Sequence, residues 1–206
     1  MYPINLDIEN KKCVVVGGGK VAFRKIRGLL EAGAKVEVIS PEFCNEIEEL
    51  FNAGKIFLRR EKYSPEKISD VVILIAATNN KKINDLAIKD AEDKKILANS
   101  ATDGGNFSVP SKIRRGEFLL TISTGEKESP GFSRFVRIML EKEFGENFGE
   151  CLNIISAKRE EAKKILPNAD ARVKFWREVF TDELWKILKS GDVESLKKFF
   201  DKVNFQ

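Results

Sequence analysis

In the first half of the chain the apolar residues come in short unbroken runs, and between the runs they recur at helical spacing. Residues 13–16, 35–39, 56–58 and 96–98 are short apolar or β-branched runs that predict strands. Ala22, Ile26, Leu29 and Leu30 form a helical stripe that Gly33 ends. A second helix is predicted from Pro41 through Ile47, Leu50 and Phe51 to near Gly54, and Ile83, Leu86, Ala87 and Ala91 mark a third. Strand and helix in alternation predict a parallel, doubly wound sheet. Residues 70–78, the most hydrophobic run, show no alternation and predict a central strand covered on both faces. That run ends in Thr78-Asn79-Asn80, and the next ends in 99–103; in an open α/β sheet these polar strand ends face the ligand.

Beyond the fifth strand the period changes. Phe107, Val109 and residues 117–123 predict antiparallel strands joined through 114–116. Ser129 is placed as an N-cap with Pro130 at the first helical position, and Phe132, Phe135, Val136, Met139, Leu140 and Phe144 continue as one helical face. Such a stripe belongs to a core or a subunit interface. Leu152, Ile155, Ala162 and Leu166 mark a helix that Pro167 breaks. A final helical pair carries Trp176, Val179, Phe180, Leu184 and Leu188, then Leu196, Phe199 and Phe200, with Ser190-Gly191 between. These changes divide the chain into 1–111, 112–147 and 148–206.

One turn gives the α/β part a chemistry. After the first strand come Gly17-Gly18-Gly19 and then a helix, so Gly17, Gly19 and Ala22 fit G-x-G-x-x-G/A. The first glycine lets the chain turn, the second lets backbone approach a pyrophosphate, and the alanine permits close helix-to-sheet packing. The free amides and partial positive charge of the helix start then face the phosphates. A Rossmann-type dinucleotide-binding sheet is therefore expected.

Composition mostly excludes. Of 206 residues, 36 are Lys or Arg and 32 Asp or Glu, and the net charge of +4 does not suggest a nucleic-acid binder. The absence of histidine removes the commonest general base, Ser-His-Asp arrangements and imidazole metal sites. Cys13, Cys44 and Cys151 have neither zinc nor C-x-x-C spacing, so free thiols in a reducing compartment are expected and no metal site is assigned. No signal-peptide pattern or membrane-length apolar run appears, which predicts a soluble, cytoplasmic protein.

With Ser123-Thr124-Gly125 and Ser129-Pro130 included, the chain resembles the precorrin-2 dehydrogenase and sirohydrochlorin ferrochelatase family, the N-terminal module of siroheme synthases. The matching pieces are Tyr2-Pro3-Ile4, residues 14–22 with Arg24-Lys25, residues 30–34, residues 75–78, Asn99 with Asp103, Phe107, and Pro110-Ser111. The resemblance implies NAD-dependent oxidation of precorrin-2 to sirohydrochlorin on the route to siroheme, with ferrous iron insertion in some members. It also implies a homodimer, so 112–147 becomes a small α+β dimerisation segment and 148–206 a helical C-terminal domain.

Several residues acquire roles through the resemblance. Asp103 falls where members carry an aspartate linked to both chemistries, and with no histidine present a carboxylate at the ligand edge is the simplest base for the departing proton. Its loop is shorter toward Phe107 than is usual in the family. Lys20 and Val21 are expected to meet the cofactor through backbone amides, with Ser40, Pro41 and Glu42 bordering the adenosine and Thr78 at the ligand edge. Thr124 matches a pocket serine of relatives. Lys112, Arg114, Arg115, Arg134 and Arg137 are candidates to hold the carboxylates of the tetrapyrrole. Two other classes share the glycine turn: a dinucleotide-sensing regulatory module and a tetrapyrrole carrier without turnover.

Overall fold

The computed structural model describes residues 2–102, 104–125 and 129–203. The chain forms two compact units, Tyr2–Val109 and Pro110–Gln206.

The first unit is built on β1 (Lys12–Val16), β2 (Lys35–Ile39), β3 (Phe57–Arg59), β4 (Ile73–Ala76) and β5 (Leu97–Ser100), all parallel, in the order β3-β2-β1-β4-β5. Helices α1 (Lys20–Leu30), α2 (Asn45–Asn52) and α3 (Lys81–Asp93) connect them. Cys13 and Val15 of β1 and Ile73 and Ile75 of β4 point into one core with Ala22, Ile26 and Leu29 of α1 and Ile47 of α2. The alternate residues Val14, Val16, Leu74 and Ala76 point into a second core with Ala87, Ile88 and Ala91 of α3. Both faces are thus covered, which is why these strands read as unbroken apolar runs. Each fully buried branched side chain contributes on the order of 1.5–3 kcal/mol relative to exposure.

Two predictions for this unit need correction. The second helix starts at Asn45, not Pro41, because the Cys44 amide donates to the Gly18 carbonyl at 2.7 Å and folds 41–44 onto the glycine turn. Phe107 and Val109 are not in a strand. The Asn106 amide donates to the Ala98 carbonyl at 2.9 Å, and Asn106 Oδ1 accepts from the Ala98 amide at 2.9 Å, which fastens this segment beside β5.

In the second unit β6 (Ser111–Arg115) and β7 (Phe118–Ile122) form an antiparallel hairpin, turned at Gly116 with φ of +59°. Among the described residues the helices α4 (Pro130–Glu141), α5 (Phe148–Ile165), α6 (Ala169–Val179), α7 (Asp182–Ser190) and α8 (Val193–Asp201) follow. The expected final pair is three helices, since the Leu184 amide donates to Thr181 Oγ1 at 3.3 Å and starts α7 afresh. Ser129 stands at the N-cap position of α4 but its side chain makes no cap bond. Phe118 of the hairpin packs against Phe144 and Phe148 with ring centroids 5.0 and 4.7 Å away, joining the hairpin to a core of Leu184, Leu188, Leu196 and Phe200.

Candidate functional site

The carboxyl ends of β1, β2 and β4 meet at the glycine turn. The Gly17 amide donates to the Ile39 carbonyl at 2.9 Å, and the Ala77 amide donates to Val16 at 2.8 Å, so both neighbouring strands hold the end of β1. Strand order reverses between β1 and β4, the place where an α/β sheet opens a crevice. A cavity of about 980 Å³ lies there.

The three glycines do different jobs. Gly17 has φ of +125°, and a Cβ on it would meet the Ala77 carbonyl. A Cβ on Gly18 would strike the Glu42 carbonyl. A Cβ on Gly19 would meet nothing within 4 Å, so the space beside it is open to a ligand. Gly19 is also the N-cap of α1, gives no side-chain cap, and precedes a first turn without acidic residues. The amides of that turn have no intrahelical acceptor and carry the positive end of the helix dipole. This is a cradle suited to a pyrophosphate.

The crevice gathers Gly17, Gly19, Lys20, Val21, Ser40, Pro41, Glu42 and Thr78. Asp103, the expected base, lies outside the described residues. Tyr63 also lines the crevice; burial and the Asp90 carboxylate, which accepts from its hydroxyl at 3.1 Å, push the phenol well above its usual range, so it stays neutral there. The acid of β2, Glu37, is bound by Lys12 at 3.2 Å and by Arg59. Arg60 makes two 2.7 Å bonds to Glu48.

In the second unit Lys112 and Arg114 alternate with the buried Ile113 on β6 and share the opposite, exposed face. Arg115 does not join them: its Nε donates to the Phe144 carbonyl at 3.1 Å, and its guanidinium lies 4.0 Å from Glu141. Arg137 bonds the same Glu141 at 2.6 Å, whereas Arg134 is exposed on α4. Thr124 Oγ1 accepts from the Ser129 amide at 2.9 Å, just ahead of α4. Among the described residues no cluster of three or more Cys, Asp or Glu could hold a metal ion, and no helix is long and apolar enough to cross a membrane.

Residues 4–111 match a family model described as "Putative NAD(P)-binding", and residues 147–202 match the sirohaem synthase dimerisation region. A siroheme synthase of Photorhabdus laumondii is 30% identical over 198 residues, 95% of this chain and 42% of that protein. Siroheme synthase 3 of Aeromonas hydrophila is 32% identical over 202 residues, 97% of this chain and 43% of that one. The chain thus spans less than half the length of these relatives. The solved structure of SirC, a precorrin-2 dehydrogenase, superposes with a TM-score of 0.77 at 25% identity, covering 98% of each chain. The chain belongs to the precorrin-2 dehydrogenase and sirohydrochlorin ferrochelatase family.

For a member of this family, a residue that stands behind the crevice wall and holds Thr78 was missed by the sequence reading. Asn84 is fully buried in α3; its Oδ1 accepts from the Thr78 amide at 3.1 Å and the Thr78 hydroxyl at 2.7 Å, and its Nδ2 donates to the Thr78 carbonyl at 3.1 Å. It fixes the turn that closes β4. The available signal was an amide in the helical stripe that includes Ala87 and Ala91, a place where an apolar residue would be expected. Gly18, Cys44 and Lys62, which the sequence reading did not single out either, line the crevice itself.

Proposed function

We propose that the chain oxidises precorrin-2 to sirohydrochlorin with NAD, working as a cytoplasmic homodimer. The observation that carries this reading is the glycine crevice, with the open space at Gly19 and the uncapped start of α1. The likeness to SirC over 98% of both chains supports the choice of substrate.

When bound, the nicotinamide would supply the acceptor for a hydride from a ring carbon of the substrate. The chain's own residues do the rest. The amides at the start of α1 hold the pyrophosphate, while Ser40, Pro41 and Glu42 border the adenosine. Asn84 keeps the Thr78 turn in place at the crevice wall. Asp103, which follows β5 in the sequence, takes the proton that leaves the substrate as the hydride departs. Lys112, Arg114 and Arg134 offer their charges to the substrate carboxylates; Arg115 and Arg137 are engaged by Glu141 in the single chain.

Preference for NAD over its 2′-phosphorylated form follows from how the nearby arginines are used. Arg59 is tied to Glu37 and Arg60 to Glu48, so neither guanidinium is left for an extra phosphate. The exposed apolar face of α4, with Phe132, Phe135, Ile138 and Met139, supports the dimer. Incubating the protein with precorrin-2 and NAD tests the proposal. Sirohydrochlorin absorbance should rise with one NADH per product, and Asp103→Ala should abolish it. No product from the wild-type chain, or full turnover by the variant, would contradict the enzyme or the base respectively. Ferrous iron added to the same assay reads chelation.

A further inference from the structure

The turns that follow β4 and β5 are joined behind the crevice by one buried side chain. Asn84 of α3 is fully buried, and the backbone and hydroxyl of Thr78 engage its Oδ1 and one N–H of its Nδ2. Nδ2 also donates to Thr102 Oγ1 at 3.5 Å, on the turn after β5. Thr102 Oγ1 lies 2.9 Å from Ser100 Oγ, which accepts from the Thr102 amide at 3.2 Å. The Asn80 amide donates to Thr78 Oγ1 at 3.1 Å, and Asn80 Oδ1 accepts from the Lys82 amide at 3.0 Å where α3 begins. Thr78, Ala101 and Thr102 line the crevice, whereas Asn84 does not. A buried amide costs free energy unless its groups are bonded, and an apolar residue on the helix face of Ala87 and Ile88 would fill the core as well. What the amide adds over an apolar residue is the link between the two turns.

We propose that Asn84 is a positioning residue for hydride transfer: by tying Thr78 to Thr102 it sets where the nicotinamide ring rests. This rests on the dehydrogenase reading. Ser40, Pro41 and Glu42 at the end of β2 border the adenosine and the start of α1 holds the pyrophosphate, so a dinucleotide laid across the glycine turn carries its other half toward the ends of β4 and β5. The wall there is made by the two turns that Asn84 joins. Asn84 acts through the threonines and not by its own contact with the reacting atoms. Its backbone belongs to the 13-residue helix α3, packed beneath β4 and β5, which is a firmer support than a loop. Hydride transfer needs donor and acceptor carbons in near contact, and a misplacement of about 1 Å can lower the rate about a hundredfold. Loosening the link should therefore slow the chemical step far more than it weakens binding of the adenosine half.

Two variants of the full chain test the link. Asn84→Asp keeps the shape and loses the amide's N–H donors, and Thr102→Val removes only a hydroxyl at an exposed position. ADP-ribose, which is NAD without the nicotinamide, is the control ligand. Both variants should bind ADP-ribose within about twofold of wild type and lower kcat for precorrin-2 at saturating NAD about tenfold. The emission of bound NADH, which arises from its nicotinamide ring, should shift toward that of free NADH. Thr102→Val should melt with the wild type, so it decides the matter even if Asn84→Asp does not fold. Wild-type kcat and wild-type NADH emission in Thr102→Val would overturn the proposal. Equal weakening of ADP-ribose and NADH with kcat unchanged would do the same, since it marks a purely structural amide. So would a loss in Thr102→Val with none in a folded Asn84→Asp, because Ser100 alone would then hold the turn. A wild-type chain that binds NADH and never oxidises precorrin-2 would sink the dehydrogenase reading, and the NADH emission of the variants would still decide whether Asn84 orients the ring.

Discussion

Gly18 and Gly19 are neighbours, yet a methyl group would act on different things at each. At Gly18 it meets the protein's own Glu42 carbonyl, so Gly18→Ala should destabilise the fold by about 2–4 kcal/mol. At Gly19, with φ of −94° and open space beside it, the methyl group meets only a ligand. Gly19→Ala should therefore leave urea stability within about 0.5 kcal/mol of wild type and weaken NADH binding about tenfold or more, read by NADH fluorescence. Cysteine reactivity follows a similar division. Cys13 and Cys151 are fully buried, and burial pushes the Cys13 thiol up to about 11 and raises that of Cys151, so both resist alkylation. Cys44 is half-buried and lines the crevice; it should be the one thiol that reacts quickly in the native chain, and NAD should slow it. Glycine and threonine positions of the crevice were legible because turn chemistry is local. Asn84 was not, because a helical pattern records which face is inward and not which inward residue bonds to the backbone of a neighbouring turn.

Among the elements, α4 stands apart. Phe132 and Phe135 are 57% and 59% exposed, with Ile138 and Met139 beside them, while Ser133 on the opposite face is buried. A helix that presents its largest apolar side chains to water needs a partner surface. Phe135→Glu should shift the chain from dimer to monomer in sedimentation, weakening association by on the order of 2 kcal/mol or more, without altering NADH affinity. An unchanged dimer would place the contact elsewhere. Element existence was readable from periodicity, but several boundaries were not. The start of α2 is set by the bond from Cys44 to Gly18, a contact between distant parts of the chain. The break between α6 and α7 turns on Thr181, whose capping hydroxyl lies inside an otherwise continuous apolar pattern. The hairpin begins at Ser111 because Asn99 and Asn106 fasten 106–107 beside β5: Asn99 Nδ2 donates to the Phe107 carbonyl at 2.9 Å.

At the scale of the whole molecule, two compact units carry separate chemistries, a dinucleotide crevice in one and cation-rich surfaces in the other. A net charge of +4 gave no hint of the second, because acidic and basic residues nearly balance over the chain while the charged residues that line a groove between α5 and α6 are all cations. The small charge reports a sum, and recognition depends on where the charges stand. The proposed reaction depends most on the first unit, because without a dinucleotide over the glycine turn the substrate has no hydride acceptor. Amide hydrogen exchange with and without NAD measures this most directly. The largest slowing is expected at Gly18–Val21, with lesser slowing in 40–44 and 77–80 and no change in the buried parts of α5 to α8. Unchanged exchange across Gly18–Val21 at saturating NAD, or protection confined to the second unit, would contradict the proposed reaction.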